Sequence, residues 1–157
     1  MTTQSIWKIL HILALFLYTG GLGGVLLPIY SAWAHKDVRY QAAAFQLAAD
    51  SETAVLLPGI LLTGLTGVFW AAGAGYSYIR DLWLLALALL YLFSVFICLP
   101  LVGVSLRRAR LLALQATKTG RMTEELRDTL NDNVPIVFGT LMALLVPLMA
   151  WLAISRP

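Results

Sequence analysis

Two histidines are the side chains in this sequence best suited to hold a cofactor. His11 and His35 are the only histidines, and they lie 24 residues apart. That separation is about 36 Å along an α-helix, so the two imidazoles cannot ligate one haem within a single chain. A haem would need His11 together with a methionine, another weak ligand or a histidine of a neighbouring chain. A chlorophyll-type pigment needs one axial ligand, which His11 alone would supply.

Three roles are open for His11: an interfacial residue that bonds lipid head groups or a backbone carbonyl, an axial cofactor ligand, or a directly catalytic group. The sequence has no Ser-His-Asp set, carboxylate pair or phosphate-binding loop, so hydrolysis and phosphoryl transfer lack support. Cys98 is the only cysteine, which excludes a disulfide within one chain. We therefore predict no catalytic residue and no metal site, and the sequence itself requires no cofactor.

The composition indicates which elements must position these side chains. Of the 157 residues, 60% are hydrophobic and 12% are charged, whereas soluble domains average about 25% charged. The mean hydropathy of +0.81 agrees with that bias. An ordinary soluble domain, a disordered chain and a disulfide scaffold are all excluded. The sequence therefore predicts an all-α polytopic membrane protein.

Four stretches without Lys, Arg, Asp or Glu define the predicted membrane crossings. They contain 27, 27, 25 and 23 residues, and a spanning helix needs about 20. Backbone groups within lipid must bond internally, so each stretch is predicted to be a helix. The predicted spans cover residues 7–30, 54–73, 82–105 and 134–154, in a bundle that forms one domain of residues 1–157.

The distribution of basic residues predicts the orientation of the bundle. Three basic residues (Lys8, Arg80 and Arg156) lie on the side that holds both termini. Eight lie in the loops 31–53 and 106–133: Lys36, Arg39, Arg107, Arg108, Arg110, Lys118, Arg121 and Arg127. The positive-inside rule makes these loops cytoplasmic, so both termini are predicted on the periplasmic side of a bacterial inner membrane.

The first cytoplasmic loop contains a segment of helical propensity, residues 37–49. This segment is either a short helix lying on the membrane surface or a plain helical connector. Asp50, Ser51 and Thr53 are predicted to cap the second span.

The second cytoplasmic loop, 106–133, is predicted to extend the third span as a helix to Ala116. A turn follows at residues 117–120, and Thr123 is predicted to cap a short helix over residues 122–132. The loop is either a docking surface for a cytoplasmic partner or a solvated hairpin.

Glycines predict how the spans pack. Gly20 and Gly24 lie four residues apart in the first span, the spacing that lets helix backbones approach closely. We expect close contact between the first two spans, and a Leu-rich third span that faces lipid or a partner. His11 lies about 180° around the helix from Gly20, so packing through Gly20 would turn His11 towards lipid, a ligand or a partner. The predicted packing glycines are Gly20, Gly24, Gly64, Gly67 and Gly139.

The predicted partners are lipids and other transmembrane subunits. Arg107, Arg108 and Arg110 follow a span directly, where anionic lipid head groups are their expected contacts. A nucleic-acid interface would need a basic face with stacking aromatic residues, so no nucleic acid is expected.

Short motifs give the chain a family resemblance. His11, Tyr18 and Gly20-Gly21 resemble the His-x6-Trp-x-Gly-Gly signature that opens several four-helix bacterial membrane families, with Tyr18 in the Trp position. These families include copper-resistance-D-like proteins, the HemJ-type protoporphyrinogen oxidase, and a predicted integral membrane family of unknown function. The last is matched further by Leu57-Pro58-Gly59, Leu65-Thr66-Gly67, Trp83, Leu99-Pro100, Arg107 and Arg108. Resemblance to the HemJ type implies that His11 is a haem ligand or part of a porphyrin site.

Three functions follow from these observations. The first is a non-catalytic subunit that braces or assembles a larger membrane complex for electron transfer or photosynthesis. The second is a haem- or porphyrin-binding membrane oxidoreductase that uses His11. The third is a small-molecule transporter, which the uncharged interior of the spans disfavours.

Overall fold

Helices account for the regular secondary structure in the described part of the chain. A computed structural model describes residues 3–35, 37–121 and 123–155. These ranges contain seven α-helices: α1 (Thr3–Ala34), α2 (Val38–Ser51), α3 (Leu57–Gly73), α4 (Leu82–Phe93), α5 (Leu99–Thr119), α6 (Glu124–Leu130) and α7 (Val134–Ser155). Two π-helical turns of five residues join α2 to α3 (Glu52–Leu56) and α4 to α5 (Ser94–Cys98).

Four helical stretches are long and apolar enough to cross a membrane. They are Thr3–Ala34, Arg39–Gly73, Leu82–Ala116 and Glu124–Ser155, with 32 or 35 residues each. This finding confirms the all-α class and the four spans, and each stretch extends beyond its predicted bounds. The orientation stays a prediction, and two residues that entered it, Lys36 and Arg156, lie outside the described residues.

The helix that carries the second span begins before the predicted crossing, because α2 runs into α3 through the π-helical turn without a break. Asp37 caps α2 by accepting a hydrogen bond from the backbone N–H of Arg39. Thr53 does not cap a helix, since its hydroxyl donates to the carbonyl of Ala49 one turn earlier. No glycine or proline interrupts residues 38–57, so nothing in the backbone stops the helix there.

α2 packs against its neighbours as a helical connector. Its residues Ala44, Phe45, Ala48 and Ala49 are buried in the same core cluster as residues of α1 and α5. One face of α2 is therefore packed in the core, and its position at the membrane surface stays a prediction.

Each π-helical turn comes directly before a Leu-Pro pair. The backbone N–H of Leu57 donates to the carbonyl of Glu52, and that of Leu99 donates to the carbonyl of Ser94. Pro58 and Pro100 follow at once. Proline lacks an N–H and crowds the preceding turn of an α-helix, and the wider π-helical turn accommodates both effects.

α1 and α3 approach each other backbone to backbone. A Cβ atom built on Gly21 would lie 2.5 Å from the Cα atom of Leu56, and one built on Gly59 would lie 2.6 Å from the backbone nitrogen of Tyr18. Any side chain at either position would force the helices apart. The expected contact between the first and second spans is therefore present in the structure.

Gly20 does not take part in this contact. A Cβ atom built on Gly20 meets no described atom within 4 Å. The buried stripe of α1 includes Ala14, Tyr18, Gly21 and Val25, spaced at four, three and four residues. Gly20 falls outside that stripe, so the packing role predicted for it belongs to Gly21.

Two further predicted glycines meet side chains rather than backbone. A Cβ atom on Gly24 would lie 3.1 Å from the Cβ atom of Ser51, and one on Gly139 would lie 2.8 Å from a methyl carbon of Leu26. Gly24 therefore brings α1 close to α2, and Gly139 brings α7 close to α1.

The third span is more exposed in its first half than in its second half. Leu84 is the one buried residue described within α4, whereas Ser94, Cys98, Val102 and Leu106 are buried further along. The predicted exposed, Leu-rich face thus belongs to α4, and the later half of the span packs in the core.

α5 runs to Thr119, three residues beyond its predicted end at Ala116, so most of the predicted turn at residues 117–120 is helical. Gly120 ends α5 with a φ angle of +64°, the left-handed conformation that glycine adopts without strain. Thr123 caps α6 by accepting a hydrogen bond from the N–H of Leu126, as predicted. Asp132 accepts from the N–H of Val134 and so helps to start α7.

Candidate ligand-binding site

An open cavity of about 960 Å³ lies between α1, α3, α4 and α7, next to the loop of residues 74–81, and its lining residues Phe16 and Phe96 are 70% and 69% exposed. This volume is at the upper end of the range of roughly 300–1,000 Å³ found for small-molecule and cofactor sites. The wall is largely apolar, and its aromatic side chains include Phe16, Phe69, Trp70, Tyr76, Trp83 and Tyr91. Burial raises the pKa of Tyr78, another lining residue in the loop, so this phenol stays protonated at neutral pH.

His11 is half-buried in the wall of this cavity and is held by Thr66. The Thr66 hydroxyl donates its single hydrogen to the carbonyl of Leu62 at 2.6 Å. The Nδ1 atom of His11 lies 3.1 Å from the same hydroxyl oxygen, which must therefore accept from it. This assignment puts the ring proton on Nδ1 and leaves the lone pair of Nε2 available. The backbone carbonyl of Thr63 is a further hydrogen-bond acceptor beside the ring.

Gly67 gives the imidazole its place against α3. A Cβ atom at Gly67 would lie 3.0 Å from Cε1 of His11, so a larger residue would displace the ring. The indole of Trp70 flanks the imidazole with a distance of 5.6 Å between ring centroids. The close contact at Gly67 is therefore with the His11 side chain rather than with the backbone of another helix.

Gly64 does the same for an aromatic residue of the third span. A Cβ atom at Gly64 would collide with the ring of Tyr91. The Tyr91 hydroxyl donates to the carbonyl of Ile60 at 2.6 Å. This hydrogen bond fixes α4 against α3 on the wall of the cavity.

The orientation of His11 follows from the position of Gly20. Because Gly20 faces open space, the opposite face of α1 turns inwards and carries His11 towards α3. The expectation that His11 points away from the packed face assumed packing through Gly20, and it is wrong for that reason.

His35 lies outside the cavity. Its Nδ1 atom donates to the carbonyl of Ser31 at 2.7 Å, and its exposed ring lies 4.3 Å from that of Tyr40, measured between centroids. The structure therefore brings no second histidine to His11. Met149 of α7 does line the cavity and supplies a thioether. Within residues 3–35, 37–121 and 123–155, no three His, Cys, Asp or Glu side chains cluster as a metal site.

The three arginines predicted to contact lipid head groups each meet a carboxylate. Arg108 lies 3.1 Å from Glu125, and Arg110 lies 3.1 Å from Asp50, with all four side chains exposed. Arg107 lies 3.6 Å from Glu52. These ion pairs join α5 to α6 and to the α2–α3 run, and lipid contact by the arginines stays a prediction.

Glu52 is a buried carboxylate that the sequence analysis missed. Its side chain is 3% exposed, in contrast to 57% for Arg107. Gly103 leaves room for the pair, since a Cβ atom there would lie 2.8 Å from both side chains. Glu52 was interpreted as a loop residue that bounds an uncharged stretch. The unbroken helical propensity on both sides of it was the signal that it lies within a helix.

Tyr18 is a second residue whose environment the sequence did not reveal. The side chain is fully buried, and its hydroxyl has no hydrogen-bond partner in the described part of the chain. An unpaired buried hydroxyl costs about 1–3 kcal/mol. Tyr18 therefore lowers the stability of this part of the core, which also holds the buried Ser94 hydroxyl.

Comparison with known families matches residues 5–157 to one described as "Predicted integral membrane protein (DUF2269)". The chain belongs to this family. The DUF2269 description agrees with the four membrane crossings and gives no activity. It agrees with the predicted resemblance to a membrane family of unknown function, and it lends no support to the copper-resistance-D-like or HemJ-type resemblance.

No curated protein and no solved structure matches the chain. The function of this DUF2269 member therefore has to be argued from its own residues.

Proposed function

We propose that this protein binds a metal tetrapyrrole of the haem type in the cavity beside loop 74–81, with His11 as the axial ligand. The observation that carries the proposal is His11 itself, which lies in the wall of an apolar cavity of about 960 Å³ with its Nδ1 atom beside Thr66. A histidine that ligates a metal typically donates its other ring N–H to a protein acceptor. The Nδ1–H of His11 does so to Thr66.

The wall of the cavity suits a large flat ligand. Trp70 and Trp83 are lining residues with broad apolar faces, and Gly64 and Gly67 let the rings of Tyr91 and His11 lie close against α3. Met149 on α7 is the candidate second ligand for a metal held by His11. When bound, a haem would supply one-electron chemistry, and the protein would bind and orient it.

A reconstitution experiment tests this proposal. The protein, purified in mild detergent, is titrated with hemin while the Soret absorption is recorded. We expect a shifted Soret band at one hemin per chain in the wild type, and loss of that shift in His11→Ala. His35→Ala is the matched control, because it removes an exposed imidazole outside the cavity. An unshifted band in the wild type, or equal binding by His11→Ala, contradicts the proposal.

The second candidate function is that of a non-catalytic subunit of a larger membrane complex. The apolar face of α4, with Leu82 and Leu89 exposed at 72% and 59%, is open to a transmembrane partner or to lipid. Extraction in mild detergent followed by cross-linking through residues substituted on α4 tests it. Reproducible capture of one partner supports this role, and a lone monomer under every gentle extraction contradicts it.

A further inference from the structure

We infer that the ligand of the His11 cavity is amphipathic and carries carboxylate groups, which Lys8 binds at the membrane surface. This inference rests on the proposed function and specifies the tetrapyrrole as one with acidic side groups.

A second, smaller cavity adjoins the first. It has a volume of about 320 Å³ and is lined by Gln4, Ser5, Lys8, Trp70, Ala74 and Tyr76. Trp70 and Tyr76 line both cavities. One ligand can therefore place an apolar body beside His11 and a polar edge beside Lys8.

The positions of Lys8 and His11 on α1 fit one ligand. His11 is three positions after Lys8 in the sequence. The two residues are therefore neighbours on one face of the helix, about 4.5 Å apart along its axis. Lys8 is one turn closer to the start of α1, where the smaller cavity lies. A group bound to the imidazole would extend its edge towards the ammonium.

The charge at this end of the bundle favours an anion. Among the described residues Lys8 forms no ion pair. The acidic residue of the adjacent loop is Asp81, and its carboxylate accepts a hydrogen bond from the backbone N–H of Ser77. The Lys8 ammonium is therefore available for a charge-assisted hydrogen bond, the stronger kind of contact to a carboxylate.

Two forms of one macrocycle test the inference. Hemin carries two carboxylates, and its dimethyl ester carries none. Both are titrated into the protein in nanodiscs of zwitterionic lipid, which keeps anionic head groups from competing for Lys8. We expect the wild type to bind hemin about tenfold more tightly than the ester, as one charge-assisted contact predicts. In Lys8→Gln hemin should bind about tenfold more weakly and the ester unchanged, so that the two affinities become equal.

Arg80→Gln is the matched control, because Arg80 is an exposed cation in the adjacent loop and does not line either cavity. It should keep the preference for hemin. If Lys8→Gln keeps that preference, Lys8 binds no carboxylate, although tetrapyrrole binding through His11 stands. If neither compound shows a His11-dependent Soret shift, the proposed function falls together with this inference.

Discussion

The Thr66 hydroxyl determines the chemistry that His11 can perform. It accepts the Nδ1–H and so keeps the lone pair on the Nε2 atom. Residues that orient a ligating histidine typically change metal affinity by about 10–100-fold when they are removed. In Thr66→Val we therefore expect hemin to bind about tenfold more weakly.

The control for Thr66→Val is Thr63→Val. Thr63 also lines the cavity, and its hydroxyl donates to the carbonyl of Gly59 in the same way, while the backbone carbonyl of Thr63 that lies near His11 is kept in the variant. Hemin titration of both variants separates orientation of the imidazole from a general effect on α3. Equal losses in the two variants would show that Thr66 does not orient His11.

Tyr18 allows a test of buried polarity. Tyr18→Phe removes a hydroxyl without a partner, so we expect the free energy of unfolding to rise by about 1 kcal/mol. Tyr91→Phe removes a hydroxyl that donates to Ile60, so unfolding should become easier by about 1 kcal/mol. Thermal unfolding in detergent measures both. A Tyr18→Phe variant as destabilised as Tyr91→Phe would indicate that the Tyr18 hydroxyl has a partner after all.

At the scale of elements, glycine placement decides which helix faces meet. In Gly21→Ala the new methyl group meets the Leu56 backbone, and we expect a loss of about 1–3 kcal/mol in stability. Gly20→Ala adds the same methyl group into open space, where alanine is the better helix former by about 1 kcal/mol. The unfolding midpoint should fall in Gly21→Ala and rise in Gly20→Ala. Similar midpoints would contradict the packing of α1 on α3.

The ion pairs between the α2–α3 run and α5 should differ in strength. Arg107→Ala leaves the buried Glu52 carboxylate without its cation, which we expect to cost roughly 2–3 kcal/mol. Arg110→Ala breaks an exposed pair with Asp50 and should cost about 0–1 kcal/mol. Urea or heat unfolding in detergent compares the two. Equal losses would mean that Glu52 is solvated in the folded protein.

At the scale of the whole molecule, the two ends of the bundle should label on opposite sides of the membrane. Cys98 is the only cysteine and is buried, so a new cysteine gives the main signal with an impermeant reagent. In intact bacterial cells we expect labelling of Ala74→Cys and protection of Thr119→Cys until the membrane is opened. The reverse pattern would overturn the predicted orientation.

The number of membrane crossings could be predicted from the sequence because long uncharged stretches admit one physical explanation. The ends of the helices could not. Lipid limits where charges lie, but it does not stop a helix, and α2 continues into α3 for want of a helix-breaking residue. The side chains at 50, 51 and 53 were interpreted as caps, although they are equally compatible with a helix interior.

The candidate site was only partly predictable. His11 stood out by residue type, and Gly67 by its place in a glycine motif. Contact between His11 and Gly67 depends on whether Gly20 or Gly21 faces α3. The composition does not distinguish these two glycines. Lys8 was counted as a topology signal alone, because its position beside a cavity depends on how α1 and α3 cross.

The π-helical turn at Glu52–Leu56 sets the rotation of α3 about its axis relative to α2. A π-helical turn holds one more residue than the corresponding α-helical turn. Deleting a single residue there would rotate everything downstream by about 100° about the helix axis. Thr66 would then leave the imidazole that it orients, although it lies ten residues beyond the turn. A one-residue deletion near one surface of the bilayer would therefore rotate the side chains near the other surface.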